Sequence, residues 1–171
     1  MAYVYVYAPF SGEIWGKQTY CNGTAHTIVN NMGGNQPMDI GDVSAGTSIR
    51  FKASSSVKSI RTRRADVCAT QTGDWDQGVI VDMYAELNAQ CYIGSVSYGH
   101  VRNWVANGTH NTRTLTLGVL PTDCNCGCSD GVHVHTQCDG GTITGLAQCA
   151  GSRVYNGSTW IYRWYWNPGW C

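Results

Sequence analysis

Two histidines one residue apart, His133 and His135, are the residues in this chain best spaced to do chemistry together. On an extended strand, residues i and i+2 project to the same face, so both imidazoles would converge on one spot. Two neutral imidazoles and a carboxylate make the donor set of a catalytic zinc, with a fourth position left open for water. An incidental pair on a solvated strand is the competing reading of the dipeptide alone. Other hydrolytic and nucleotide-binding signatures are missing: there is no H-E-x-x-H helix, no Walker loop and no Gly-rich dinucleotide turn.

The chain that must position these groups has 171 residues, enough for one domain with a sizeable core and too few for two comfortable ones. We therefore expect a single domain over residues 1–171. Eleven basic and eleven acidic residues give zero formal charge, which argues against a nucleic-acid footprint. Charged residues are only 13% of the chain, about half the usual share, and that scarcity disfavours many solvent-facing helices. With 21 Gly, 10 Tyr and 7 Trp, the composition points to an all-β chain. No apolar run approaches the length of a membrane span. The opening Tyr3-Val4-Tyr5-Val6-Tyr7 alternates with period two, which reads as a strand and not as a signal peptide.

Strand-like runs recur at Tyr3 to Ala8, Thr47 to Ala53, Val57 to Arg63, Val79 to Ala85, Tyr92 to Val101, Thr112 to Leu120, Val132 to Thr136 and Thr159 to Trp166. Asn-Gly and Gly-Gly turns punctuate them. This pattern predicts an antiparallel sandwich or partly open barrel with long loops. Arg61-Thr62-Arg63-Arg64 reads as a solvated strand end. Trp160, Tyr162, Trp164 and Trp166 fall on one face at period two, either as core or as an aromatic ledge near a cleft. His110 sits in a turn-like segment and reads as a solvated loop residue.

Three segments taken in order carry a resemblance. Ala25-His26 is followed by Pro37-Met38-Asp39-Ile40-Gly41, then by Ser97-Tyr98-Gly99-His100-Val101, then by Gly131-Val132-His133-Val134-His135. Their order and spacing resemble the lysostaphin/LytM-type zinc metallopeptidases, which show a His and an Asp, later a Y-x-H and finally a G-x-H-x-H. The insertion between His26 and Asp39 and the ending Tyr165-Trp166-Asn167-Pro168-Gly169 look most like the secreted beta-lytic branch. Asp39 lies thirteen residues after His26, where the common form has four, and Asp42 is a second candidate for the family's Asp. Asp39 is preferred because Met38 and Ile40 give it the apolar flanks of a buried strand, whereas Asp42 follows Gly41 and has an apolar neighbour on one side only. Thr136-Gln137 stand where the family shows an aromatic and a Glu.

The resemblance implies one zinc ion held by His26, Asp39 and His135. It implies His133 as general base and His100 as the group that holds or protonates the developing oxyanion. Tyr98, two residues before His100, would share its strand face and line the cleft. The implied activity is a secreted endopeptidase, probing bacterial peptidoglycan as its partner and cutting cross-links or stem peptides at bonds involving Gly or D-Ala, as a monomer. A non-catalytic cell-wall or carbohydrate-binding module on the same fold is the alternative.

Nine cysteines fit an oxidising compartment, and the odd count leaves one unpaired within the chain. Cys124-x-Cys126-x-Cys128 lacks the spacing of a zinc knuckle and reads as disulfide half-sites. A bridge from Cys68 to one of these three would staple the segment presenting His133. Cys138 with Cys149 would close a short loop, and Cys171 would tether the C-terminus.

Overall fold

A computed structural model describes residues 2–17, 34–66, 77–122, 131–145 and 151–171. Thirteen strands are found among them, every pair antiparallel, with no α-helix and one 3-10 turn at Pro168–Trp170. The strands are β1 (Ala2–Tyr7), β2 (Gly12–Lys17), β3 (Asn35–Gly41), β4 (Ser48–Lys52), β5 (Ser59–Asp66), β6 (Gln77–Tyr84) and β7 (Tyr92–Val101). They continue with β8 (Gly108–His110), β9 (Thr114–Val119), β10 (Val134–Asp139), β11 (Thr142–Gly145), β12 (Arg153–Val154) and β13 (Trp160–Trp166). An eight-stranded sheet in the order β12-β2-β3-β10-β7-β6-β5-β8 packs with a three-stranded sheet β1-β13-β11 and a ribbon β4-β9; none closes into a barrel.

Period two decides which faces meet. In β1, Val4 and Val6 are fully buried while Tyr3, Tyr5 and Tyr7 turn outward. In the eight-stranded sheet, Ile14, Met38, Ile40, Val134, Val96, Val79 and Val81 supply the inward face. They share one core with Phe51 of β4 and with Tyr162 and Trp164 of β13. Burying side chains of this size contributes about 1.5–3 kcal/mol each relative to exposure.

Several expectations are corrected. A bulge at Ile161 breaks the alternation of β13: Val6 pairs with Tyr162 but Tyr7 pairs with Trp160. Trp160 therefore joins the outer face, against Tyr5 and Arg163, while Tyr162, Trp164 and Trp166 stay inside. His110 is a strand residue paired with Ile60, its Nε2 3.1 Å from Thr62 Oγ1, and not a solvated loop histidine. The basic cluster is an exposed strand end on β5, as expected, and is also engaged: Arg63 makes a bidentate pair with buried Asp82 at 2.9 and 3.1 Å, and Arg64 lies 3.9 Å over the Trp104 ring. Cys171 tethers the C-terminus as expected, its partner being Cys91. Cys138 faces the core as a free, buried thiol and is not half of a short bridge; Cys149, Cys68, Cys124, Cys126 and Cys128 lie outside the described residues. Among the described residues no helix is long and apolar enough to cross a membrane.

Tyr98 is a core residue with 0% exposure. It pairs with Thr136 and Val79, both inward-facing, so its ring lies on the core side of the sheet and not on the side of His135. Among the described residues its hydroxyl has no hydrogen-bond partner, and burial pushes its pKa far above the ordinary value. An orphaned buried hydroxyl costs about 1–3 kcal/mol. Tyr98→Phe should therefore raise stability by about 1 kcal/mol in urea titration; a loss of that size would show a hydrogen bond to the hydroxyl.

Candidate active site

Ladder register brings the candidate residues together. His135 pairs with Asp39 on one side and with Gly99 on the other, and Asp39 pairs in turn with Gly16. The row Gly16–Asp39–His135–Gly99 thus crosses four strands, with the two functional side chains between two residues that have none. Both functional side chains point away from the core, because their neighbours Met38, Ile40, Val134 and Thr136 are the inward ones. Asp39 Oδ1 lies 3.1 Å from His135 Nδ1, and Asp39 Oδ2 lies 3.6 Å from His133 Nε2. His133 and His135 are buried, at 4% and 3% exposure, whereas the Asp39 side chain keeps 15%.

Two β-bulges flank this row. On β2, Ile14 pairs with Ile40 and Gly16 with Asp39, so Trp15 is the extra residue. Its indole is turned onto Gly41, where a Cβ would approach to 2.3 Å, and its ring centre lies 5.8 Å from that of His133. On β7, Tyr98 pairs with Val79 and Val101 with Gln77, so Gly99 and His100 face one residue of β6. His100 adopts φ +61°, a left-handed conformation that costs a non-glycine residue about 1–2 kcal/mol. The bulge breaks the alternation that would have sent His100 to the core with Tyr98, and its ring lies 4.8 Å from that of His133, edge to face. This is why Tyr98 and His100 do not share a face.

The electrostatics follow from burial. Desolvation lowers the His133 pKa from its ordinary value, against the opposing pull of the Asp39 carboxylate and the Gly131 carbonyl. His133 is therefore neutral at pH 7. Its Nδ1 sits 3.0 Å from the Gly131 carbonyl, which can only accept, so Nδ1 carries the proton and Nε2 the lone pair. His135 Nδ1 faces the Asp39 carboxylate.

Two donors on one tetrahedral zinc lie about 3.3 Å apart, and the 3.1 Å between His135 Nδ1 and Asp39 Oδ1 fits two ligands of one ion. No complete set of three ligands occurs among the described residues, and His26, the remaining ligand implied by the sequence, lies outside them. Asp42 does not reach the site: it is exposed at the strand end and pairs with Arg153. Trp15 was not singled out from the sequence, and only the extra residue in its strand brings it to His133. The chain matches no family model, no curated protein and no solved structure.

Left-handed backbone at His100 can be isolated by comparing two substitutions that both remove the imidazole. Glycine in extended structure is ordinarily less stable than alanine by about 0.5–1 kcal/mol. At His100 the order should invert, with His100→Gly the more stable by about 1 kcal/mol in denaturant titration. Alanine equal to or better than glycine would contradict the strained bulge.

Proposed function

We propose that this chain is a secreted zinc endopeptidase that hydrolyses peptide bonds of bacterial peptidoglycan, at bonds involving Gly or D-Ala. The observation that carries the reading is the convergence of the Asp39 carboxylate with Nδ1 of His135 and Nε2 of His133, beside His100. The order of these residues in the resembling family gives the reaction class and the substrate. The Cys91–Cys171 bridge supports an oxidising, extracellular setting.

Asp39 and His135 would hold one zinc, with His26 as the third ligand. When bound, the metal would polarise the scissile carbonyl and bring the pKa of a water to about 7. His133 takes the proton of the attacking water at Nε2, while the Gly131 carbonyl holds Nδ1–H and keeps that nitrogen available. Burial keeps His133 unprotonated, so it is ready as a base at neutral pH. His100, ring to ring with His133, donates to the oxygen that becomes negative as the carbonyl carbon turns tetrahedral. Trp15 walls the site beside His133 and leaves an apolar surface suited to small substrate residues.

An aromatic outer face supports a second reading, a cell-wall or carbohydrate-binding module. Tyr3, Tyr5, Trp160 and Tyr165 cluster on β1 and β13, with Arg163 stacked 4.7 Å from Tyr3 and 5.3 Å from Trp160. That reading predicts wall binding that chelators leave untouched and no bond cleavage.

Purified peptidoglycan should release new amino groups with the protein, stop doing so with a chelator and resume when zinc is restored. No release from protein holding one zinc would favour the binding module. His133→Ala should keep zinc and lose turnover by at least about a hundredfold, whereas Asp42→Ala should keep both. The lowered His133 pKa fixes the sign of the pH profile. The base is lost only on protonation, so kcat/KM should be flat through neutrality and fall on the acid side below about 6.5. An acid limb centred above 6.5 would contradict His133 as the base.

A further inference from the structure

Gln137 is fully buried, an unusual place for a polar side chain that carries no charge and no evident packing advantage. It follows His135 by two residues on β10 and so shares its face. Its Oε1 lies 2.6 Å from His135 Nε2. An amide oxygen can only accept, so the hydrogen bond requires a proton on Nε2. A neutral imidazole has one ring proton, and placing it on Nε2 puts the lone pair on Nδ1, the nitrogen 3.1 Å from Asp39 Oδ1. The Asp39 carboxylate is likewise only an acceptor, so Nδ1 faces it either with a ring proton of its own or, when a metal ion takes its lone pair, as a second ligand beside it. His133 is held in the opposite tautomer by the Gly131 carbonyl. The two histidines of the H-x-H pair thus present different nitrogens because two different oxygen acceptors sit behind them.

We infer that Gln137 is the positioning residue of the metal centre: through Nε2 it fixes the tautomer and ring orientation of His135, so that Nδ1 is the metal-binding atom. The inference rests on the metal reading above. Gln137 does not touch the metal. Its effect is to pre-set a ligand that would otherwise divide between two tautomers and rotate about its side-chain bonds, and such partners behind a ligand typically govern affinity by about 10–100-fold. A neutral amide does this without adding a second buried negative charge beside Asp39. Glutamate keeps the acceptor oxygen and should serve in its place, whereas leucine, similar in size, has no acceptor at all.

The test uses the full chain in wild-type, Gln137→Leu and Gln137→Glu forms, with folding checked by circular dichroism. Zinc dissociation constants come from competition with a chromophoric chelator, and long-range nitrogen–proton NMR of the zinc-loaded chain reads the protonated ring nitrogen of His135. Wild type should carry the proton on Nε2. Gln137→Leu should weaken zinc by about 10–100-fold and mix the tautomers, and Gln137→Glu should stay within about tenfold of wild type. Folded Gln137→Leu with wild-type zinc affinity would overturn this inference and leave the metal reading standing. A proton on Nδ1 in wild type would overturn it even if no variant folds. Wild type that binds no zinc would overturn the metal reading itself, and this inference with it.

Discussion

The site depends on one row of backbone pairing across β2, β3, β10 and β7. Because strand side chains alternate, a slip of one residue in any of these ladders would send Asp39 or His135 into the core and bring an apolar neighbour to the surface. The core resists such a slip. Met38, Ile40, Val134 and Thr136 are buried on the opposite face, and Thr136 Oγ1 is held by the Met38 carbonyl at 3.0 Å and by the Tyr162 hydroxyl at 2.9 Å. Packing of the hydrophobic layer therefore sets the approach of two polar groups on the other side of the same sheet.

Bulges do the rest of the positioning. A regular ladder would give the row at Asp39 and His135 bare neighbours, since Gly16 and Gly99 offer no side chains. One extra residue on β2 and one on β7 bring Trp15 and His100 to bear on His133 from two sides. The left-handed backbone at His100 is a local cost that the surrounding sheet sustains, as expected where a side chain must be aimed against its strand's alternation. Burial then keeps His133 neutral, and a backbone carbonyl and a side-chain amide lie behind the paired histidines at different ring nitrogens.

Much of this was legible in the sequence. Period-two alternation in Tyr3 to Tyr7 and the apolar flanks of Asp39 follow from strand geometry alone and lie where alternation puts them, whereas of the H-x-H pair only His135 is in β10 and His133 stands just before it. Irregularities were not legible. Trp160 and His100 both defeat the count of two because of an extra residue nearby, and a bulge leaves no mark in residue type. Strands β2, β8, β11 and β12 are short or polar and carry too little alternation to be read. Gln137 looked like a departure from the family's Glu, yet its oxygen occupies the position that an acceptor behind His135 must take. Asp39 over Asp42 was decided by burial, and the structure pairs Asp42 with Arg153 at the surface.

The central claim is that Asp39 and His135 are donors to one metal ion. Crystals of the zinc-loaded protein, with anomalous data collected on both sides of the zinc absorption edge, test it most directly. The account predicts a single anomalous peak within bonding distance, about 2.0–2.2 Å, of an Asp39 carboxylate oxygen and of His135 Nδ1, with Nε2 of His135 turned to Gln137. A peak bonded through His135 Nε2, a peak at Asp42, or no peak at this row would contradict it.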